Sequence, residues 1–557
     1  MSSRLASPTE GPAPATAQAW REAGARLTAA PGLAIVLLLG GAAAWGNRGQ
    51  VNPDGVSYLQ LASYLAGGDV VASISAYWNP LLVWLLAPLL GLGLDRLVTA
   101  RLALLLCAAV GVLAADRLAL RLGLRPLPRA AAVAAVAAPL AELATRVITP
   151  DVLVGACLLA YTASACHPRL LRCRRRAALT GALGGVCFLA KSYALPFVLV
   201  HLPLMIGLRA WRERDVDRRD AARALAVALA ALLAIASAWI VVLSVRFQRP
   251  TWATSGASVH AAVGPGAPLG DYRMPTGLMT PPPPHRSVWE MPELLAYPAW
   301  SPLATPEHRA HQAAIIAHHG ASALRILRGW DWLGLTLPGL ALAPLLAWLA
   351  RRRLERDAPA LAAASLWVPA TVAIYIGGHL PIFLEERYLL TFLLPLAALL
   401  LVAWAAAAAA AFRDRARAGP AVGALLVGLV CAAYALGPAR ALVDRARRGD
   451  DGQRFAALVS ALREARVSGP LALVVEAGED PHAWHSGHYA AFFLDETYVG
   501  TLTLAEATGT DLLDRHAVGA VLVPRADASP ADLGPGWALR CVLGGPGGRR
   551  LEVFGRR

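Results

Sequence analysis

Apolar runs long enough to cross a bilayer follow one another from Pro31 to about residue 436, separated by short polar stretches. At 1.5 Å per residue a helix needs about 20 residues to pass the ~30 Å hydrocarbon layer. On that measure, spans are expected near 31–45, 101–116, 130–147, 152–166, 177–192, 193–208, 222–245, 330–350, 359–377, 389–411 and 419–436, about eleven in all. The run at 79–94 is different. Pro80, Pro88, Gly91 and Gly93 interrupt it, so it is expected to dip into the membrane and return, as irregular backbone does where protein buries it. From about Gly437 the pattern turns water-soluble. An amphipathic helix is expected at 455–465, short buried strands at 471–475 and 518–523, and a further helix at 504–515.

Composition agrees with a membrane protein: 57% of residues are hydrophobic, 16% are charged, and the mean hydropathy is +0.49. The formal charge of +15 would fit nucleic acid, but the arginines gather in short clusters between apolar runs. These clusters hold Arg21 and Arg26 in the tail, then 117–129, 169–176, 209–219, 351–356 and 413–417. Placing all of them on the cytoplasmic side satisfies the positive-inside rule and leaves no nucleic-acid partner to explain. It requires that 79–94 does not cross, and it puts the N-terminus inside and the C-terminus outside. The expected fold is thus an α-helical polytopic membrane protein with a small C-terminal extracytoplasmic α/β domain. Residues 1–30 form a polar tail, 31–436 the membrane domain and 437–557 the soluble domain. Six of the seven cysteines lie in or beside apolar runs, which implies no disulfide framework. Residues 31–45 lack a cleavage site and read as a retained span.

This topology carries Asp54, Asp69, Asp151, Lys191 and the run Glu385-Glu386-Arg387-Tyr388 to the outer face, together with the Pro- and Trp-rich stretch 246–329. An ionisable group at the membrane boundary is a functional candidate. Asp54 follows the turn Asn52-Pro53 and reads either as a helix cap or as a desolvated base. Tyr58, one helical turn on, points toward the same pocket. Asp151 opens a span after Thr149-Pro150, with Arg146 before it as a phosphate ligand or a snorkelling side chain. Lys191 is the only lysine, so it marks a site that needs a compact ammonium rather than a guanidinium. Glu386 and Arg387 either neutralise each other or leave Arg387 to grip a phosphate beside Tyr388. His308, His311, His318 and His319, and likewise His482, His485 and His488, lack the neighbouring ligands of a metal site. The stretch 246–329, with Pro281-Pro-Pro-Pro284 and Tyr297-Pro-Ala-Trp300, is expected to cap the site.

These residues resemble a known family. Pro53-Asp-Gly-Val-Ser-Tyr-Leu59, Gly68-Asp69, Tyr77-Trp-Asn-Pro-Leu81, Thr149-Pro-Asp151 and Glu386-Arg-Tyr388 are similar in order and sidedness to motifs of the polyprenyl-phosphate-dependent GT-C glycosyltransferases. Within that class the likeness is to bacterial family-39-like, protein-mannosyltransferase-like enzymes. The resemblance implies a GT-C fold in a bacterial inner membrane and an inverting transfer of sugar from a polyprenyl-phosphate donor to a glycan, lipid or protein acceptor. It implies Asp54 as base, Asp151 in support, and Lys191, Arg387 and Arg146 on the donor phosphate. Tyr58, Asp69, Trp78, Asn79, His379, Glu386 and Tyr388 would line the pocket. Where many members carry a second acid after the first aspartate, this chain has Gly55, so no metal or other cofactor is expected. A transporter or lipid-linked-sugar flippase is the competing function, and a non-enzymatic envelope scaffold a further one.

Overall fold

The structure, a computed structural model, describes residues 27–213, 215–272, 277–295, 297–413, 419–448, 453–476, 484–509, 511–525, 531–544 and 550–557. Most of the expected tail, the basic residues Arg415 and Arg417, and His482 lie outside them. The chain is a polytopic helical membrane protein. Seven helices among the described residues are long and apolar enough to cross a bilayer: Arg96–Arg121, Pro126–Arg146, Ala194–Arg212, Arg218–Arg246, Pro359–His379, Leu393–Ala411 and Pro420–Arg448. Ala30–Gly46, Asp151–Ala165 and Thr336–Leu349 are shorter apolar helices. The interrupted run forms Pro80–Gly91, with Pro88 inside it. Its 12 residues span about 18 Å, well short of the hydrocarbon thickness.

Helix packing relies on small residues, which let backbones approach where lipid offers no hydrophobic drive. The closest approach joins Arg174–Ala190 to Arg218–Arg246: a Cβ on Gly181 would sit 1.8 Å from the Ala228 carbonyl oxygen. Gly184 and Gly185 face Leu232 and Ile235 along the same seam. The first of these helices ends just beyond the seam, with Lys191 as its C-cap residue.

Short turns alternate the helix ends. One end of the bundle gathers the arginine-bearing turns after Arg121, Ala165 and Arg212. The other gathers Asn52 to Asp54, Arg146 to Asp151, Lys191 and Glu385 to Tyr388. Over that second end lies the stretch 246–329, which is more ordered than its composition implies. It contains Ser255–Ala262, two short turns at Val288–Glu290 and Pro292–Leu294, and the 24-residue helix Pro306–Gly329. Thr305 caps that long helix by accepting from the His308 amide, and Pro306 occupies its first turn. Its buried face (Gln312, Ile315, His319, Ala323, Leu327) has helical spacing but polar members, which hides it from a hydrophobicity reading.

The C-terminal domain is α/β, with a six-stranded sheet in the order β1-β3-β2-β4-β6-β5. The strands are β1 Gly277–Leu278, β2 Leu471–Val475, β3 Tyr498–Thr503, β4 Ala520–Arg525, β5 Trp537–Gly544 and β6 Arg550–Arg556. β2 pairs in parallel with β3 and β4; the other ladders are antiparallel. The expected strands and the helices at 455–465 and 504–515 are present within a few residues, as Gln453–Glu464, Leu504–Gly509 and Leu512–Arg515. The expected boundary at residue 437 is not a break in the fold. Gly419–Arg448 is one helix that runs through it. The edge strand β1 comes from the stretch 246–329, so the soluble domain incorporates part of the membrane domain's cap.

Replacing Gly181 by Ala is expected to lower the unfolding free energy by about 2 kcal/mol, because backbone rather than a movable side chain blocks the new methyl. Thermal unfolding in detergent checks this, and an unchanged melting temperature would contradict the packing described.

Candidate active site

A cavity of about 430 Å³ opens at the acidic end of the bundle, lined by Asn52, Pro53, Asp54, Arg146, Val147, Tyr272, Glu385, Glu386, Arg387 and His485. The Arg387 guanidinium organises it. Its Nη1 donates to Asp54 Oδ2 at 2.7 Å and lies 3.7 Å from Asp151 Oδ2, while its Nε donates to Glu385. Lys191 Nζ donates to the other Asp151 oxygen at 2.6 Å and stands 3.6 Å from the centre of the Tyr388 ring. Two cations and three carboxylates, from four separate places in the chain, thus form one continuous cluster.

Local structure explains each position. Asp54 is the second residue of helix Pro53–Ala66, held where Asn52 Oδ1 accepts from the Ile148 amide at 2.7 Å. Asp151 begins its helix, and Thr391 Oγ1 donates to its carbonyl at 2.7 Å. Gly155 lets Thr391 come that close, since a Cβ there would meet it at 2.5 Å. Lys191 sits between two residues gripped by Asn79, whose amide nitrogen donates to the Phe188 carbonyl and whose oxygen accepts from the Ser192 amide, each at 2.9 Å. Asn79 therefore positions the lysine and does not itself line the cavity.

The remaining expected residues divide clearly. Arg146 and Glu386 line the cavity 4.0 Å apart. Arg146 also lies 3.5 Å from Glu142, which a second arginine, Arg445, holds at 3.0 Å. Glu385 rather than Glu386 pairs with Arg387: adjacent residues at a helix start point in different directions. His379 is buried behind the cluster, with its ring 3.9 Å from that of Tyr193 and stacked on Tyr388 at 5.3 Å. Tyr58 and Trp78 are buried and pack edge-on at 5.2 Å. The Trp78 indole donates to the Trp289 carbonyl, so both support the site from behind. Asp69 does not join the site. It lies in an exposed turn and accepts from the Ala72 amide at 3.0 Å.

Tyr272, from the cap, and His485, from the C-terminal domain, line the cavity; the sequence marked His485 only as one of a histidine group without metal-site ligands, and Tyr272 not at all. Burial, followed by the negative charge of Asp54, raises the Tyr272 phenol, which therefore stays protonated at neutral pH. Among the described residues no three His, Cys, Asp or Glu side chains gather in a form that could hold a metal ion. His308 and His311 edge the Trp300 ring, and His319 bonds the Leu380 carbonyl.

The whole chain is similar in structure to ArnT from Cupriavidus metallidurans, in crystal structures bound to undecaprenyl phosphate and in the apo state. The bound form aligns at TM-score 0.52 and 16% identity, covering 94% of this chain and 97% of that one. The apo form aligns at TM-score 0.51 and 16% identity, covering 97% and 98%. The likeness establishes the GT-C fold. No family model and no curated protein matches the sequence.

Replacing Lys191 by Met leaves the 1%-exposed Asp151 carboxylate with only the more distant Arg387. A loss of about 3 kcal/mol is expected, with partial recovery when Asp151 becomes Leu in the same chain. Melting of the single and double variants checks this; a single variant as stable as wild type would contradict the pairing.

Proposed function

We propose that the chain transfers a sugar from a polyprenyl-phosphate donor to an acceptor hydroxyl at the outer face of the membrane. The observation that carries this reading is the Asp54–Arg387–Asp151–Lys191 cluster, whose Asp54 and Arg387 line an open cavity, in a fold shared with a protein crystallised with undecaprenyl phosphate.

The chemistry requires two things at one place: a base for the acceptor and fixed cations for a phosphate leaving group. Asp54 takes the proton of the acceptor hydroxyl. The acceptor oxygen bonds to the anomeric carbon from the face opposite the phosphate. The bond from that carbon to the phosphate oxygen breaks, its electron pair stays on the phosphate, and the configuration inverts. Arg387 and Lys191 neutralise the charge that develops there. Asp151 keeps both cations in place, and Arg146, at the cavity wall, offers the lipid phosphate a further contact. Each role is assigned from position and chemistry.

The paired state of Asp54 bears on the order of events. In this state Asp54 Oδ2 is occupied by the Arg387 guanidinium at 2.7 Å and is not free to accept a proton from an acceptor hydroxyl. An incoming phosphate is a stronger ligand for Arg387, with fork geometry available, and draws it away from Asp54. Donor binding thus generates the active base, so the donor binds first and the acceptor second.

In a strain lacking this chain, complementation with wild type but not with Asp54→Asn should restore one sugar on an envelope glycan or glycolipid, read by mass spectrometry. In vitro the rate should fall by about 10³-fold, within the range for losing a general base, with assembly and melting unchanged. Restoration by Asp54→Asn would refute the proposed base. A lipid-linked sugar accumulating on one leaflet with an unchanged glycan profile would favour a flippase.

A further inference from the structure

The C-terminal domain is not an appendage to the membrane domain; it supplies one wall of the cavity. Helix Trp484–Leu494 carries His485 into the lining beside Asp54. Three independent sets of contacts fix that helix in place. The Trp484 ring lies 5.3 Å from that of Trp289, whose carbonyl accepts from Ser57 Oγ at 2.8 Å, one turn after Asp54. Asp495 binds Arg96 at 2.9 Å and Arg286 at 2.6 Å, joining the domain to a membrane helix and to the cap. Strand β1 of the cap pairs with β3, directly after the helix. Within the domain the helix is pressed onto the sheet, since a Cβ on Gly487 would meet the Tyr498 ring at 2.6 Å. His488, one turn from His485, is fully buried beside Pro53, and burial holds its imidazole neutral with a pKa of about 3. A helix held this firmly presents His485 from a fixed backbone position.

The two ends of the cavity differ in origin. Asp54, Arg146 and Arg387 come from ends of the membrane bundle, with Asp151 and Lys191 behind them, and a lipid-borne phosphate would arrive there from the bilayer. His485 and Tyr272 come from the soluble domain and the cap, on the side open to water. We propose that His485 binds the acceptor and aligns its hydroxyl with Asp54, so that the C-terminal domain sets which hydroxyl-bearing acceptor is used. A neutral imidazole both donates and accepts a hydrogen bond, the pattern that reads a hydroxyl group. This inference rests on the glycosyl-transfer reading above.

The test uses the full chain in nanodiscs with a labelled undecaprenyl-phosphate-linked sugar and, as acceptor pool, the envelope extract of a strain lacking this chain. His485→Ala should raise the extract concentration giving half-maximal transfer about 10-fold, the loss expected for one substrate hydrogen bond. His485→Gln, which keeps a donor and an acceptor, should recover part of it. The affinity for undecaprenyl phosphate alone should stay within about twofold of wild type in both variants. Unchanged half-saturation in His485→Ala would overturn the proposal. So would an equal loss of undecaprenyl phosphate affinity, which would move His485 to the donor side. If His485→Ala does not fold, the same readouts on His485→Gln and on His485→Phe decide, with the larger loss of acceptor use expected for Phe and equal values for the two overturning the proposal. Failure of the glycosyl-transfer reading itself looks different: the wild-type chain would then transfer no sugar, and Asp54→Asn would change nothing.

Discussion

A single guanidinium holds the functional end of this molecule together. Arg387 is shared by Asp54, Glu385 and Asp151, and Asp151 is shared in turn with Lys191. Charges taken out of water are costly unless they are paired and hydrogen-bonded, and a chain can keep such a cluster only if every member arrives in register. That requirement reaches far into the bundle. Asn79 must hold the backbone around Lys191, Gly155 must admit Thr391 against Asp151, and the glycine seam at Gly181 must bring two helices into backbone contact. In the proposed reaction a phosphate would offer Arg387 a better partner, and its arrival would leave Asp54 free.

The membrane and soluble parts meet around this cluster. The cap over residues 246–329 anchors to the helix of Asp54 twice, through Ser57 to the Trp289 carbonyl and through the Tyr64 hydroxyl to Glu290 at 2.8 Å. The same cap lends β1 to the C-terminal sheet. The cavity is therefore bounded by three separately coded parts of the chain.

Legibility in the sequence followed the physics of each signal. Asp54, Asp151, Lys191 and Arg387 stood out because a charge beside an apolar run is expensive and so informative. Their convergence followed from the parity of the arginine clusters. Asp69 carried the same local signal and proved to be a turn residue, since a carboxylate after Gly68 serves a turn equally well. The choice of Glu385 over Glu386 depends on side-chain direction at a helix start, which a pattern of residue types does not contain. Helix Pro306–Gly329 was hidden by its histidines, and His485 by distance: it meets Asp54 through a docking between segments more than 400 positions apart.

The central claim is that a lipid phosphate takes Arg387 from Asp54. The most direct measurement is an experimental structure of the full chain with undecaprenyl phosphate in a lipid nanodisc. The phosphate is expected against Arg387 and Lys191, with the Asp54–Arg387 contact opened beyond hydrogen-bond distance and Asp54 facing the cavity. A phosphate bound elsewhere, with the 2.7 Å pair intact, would contradict it.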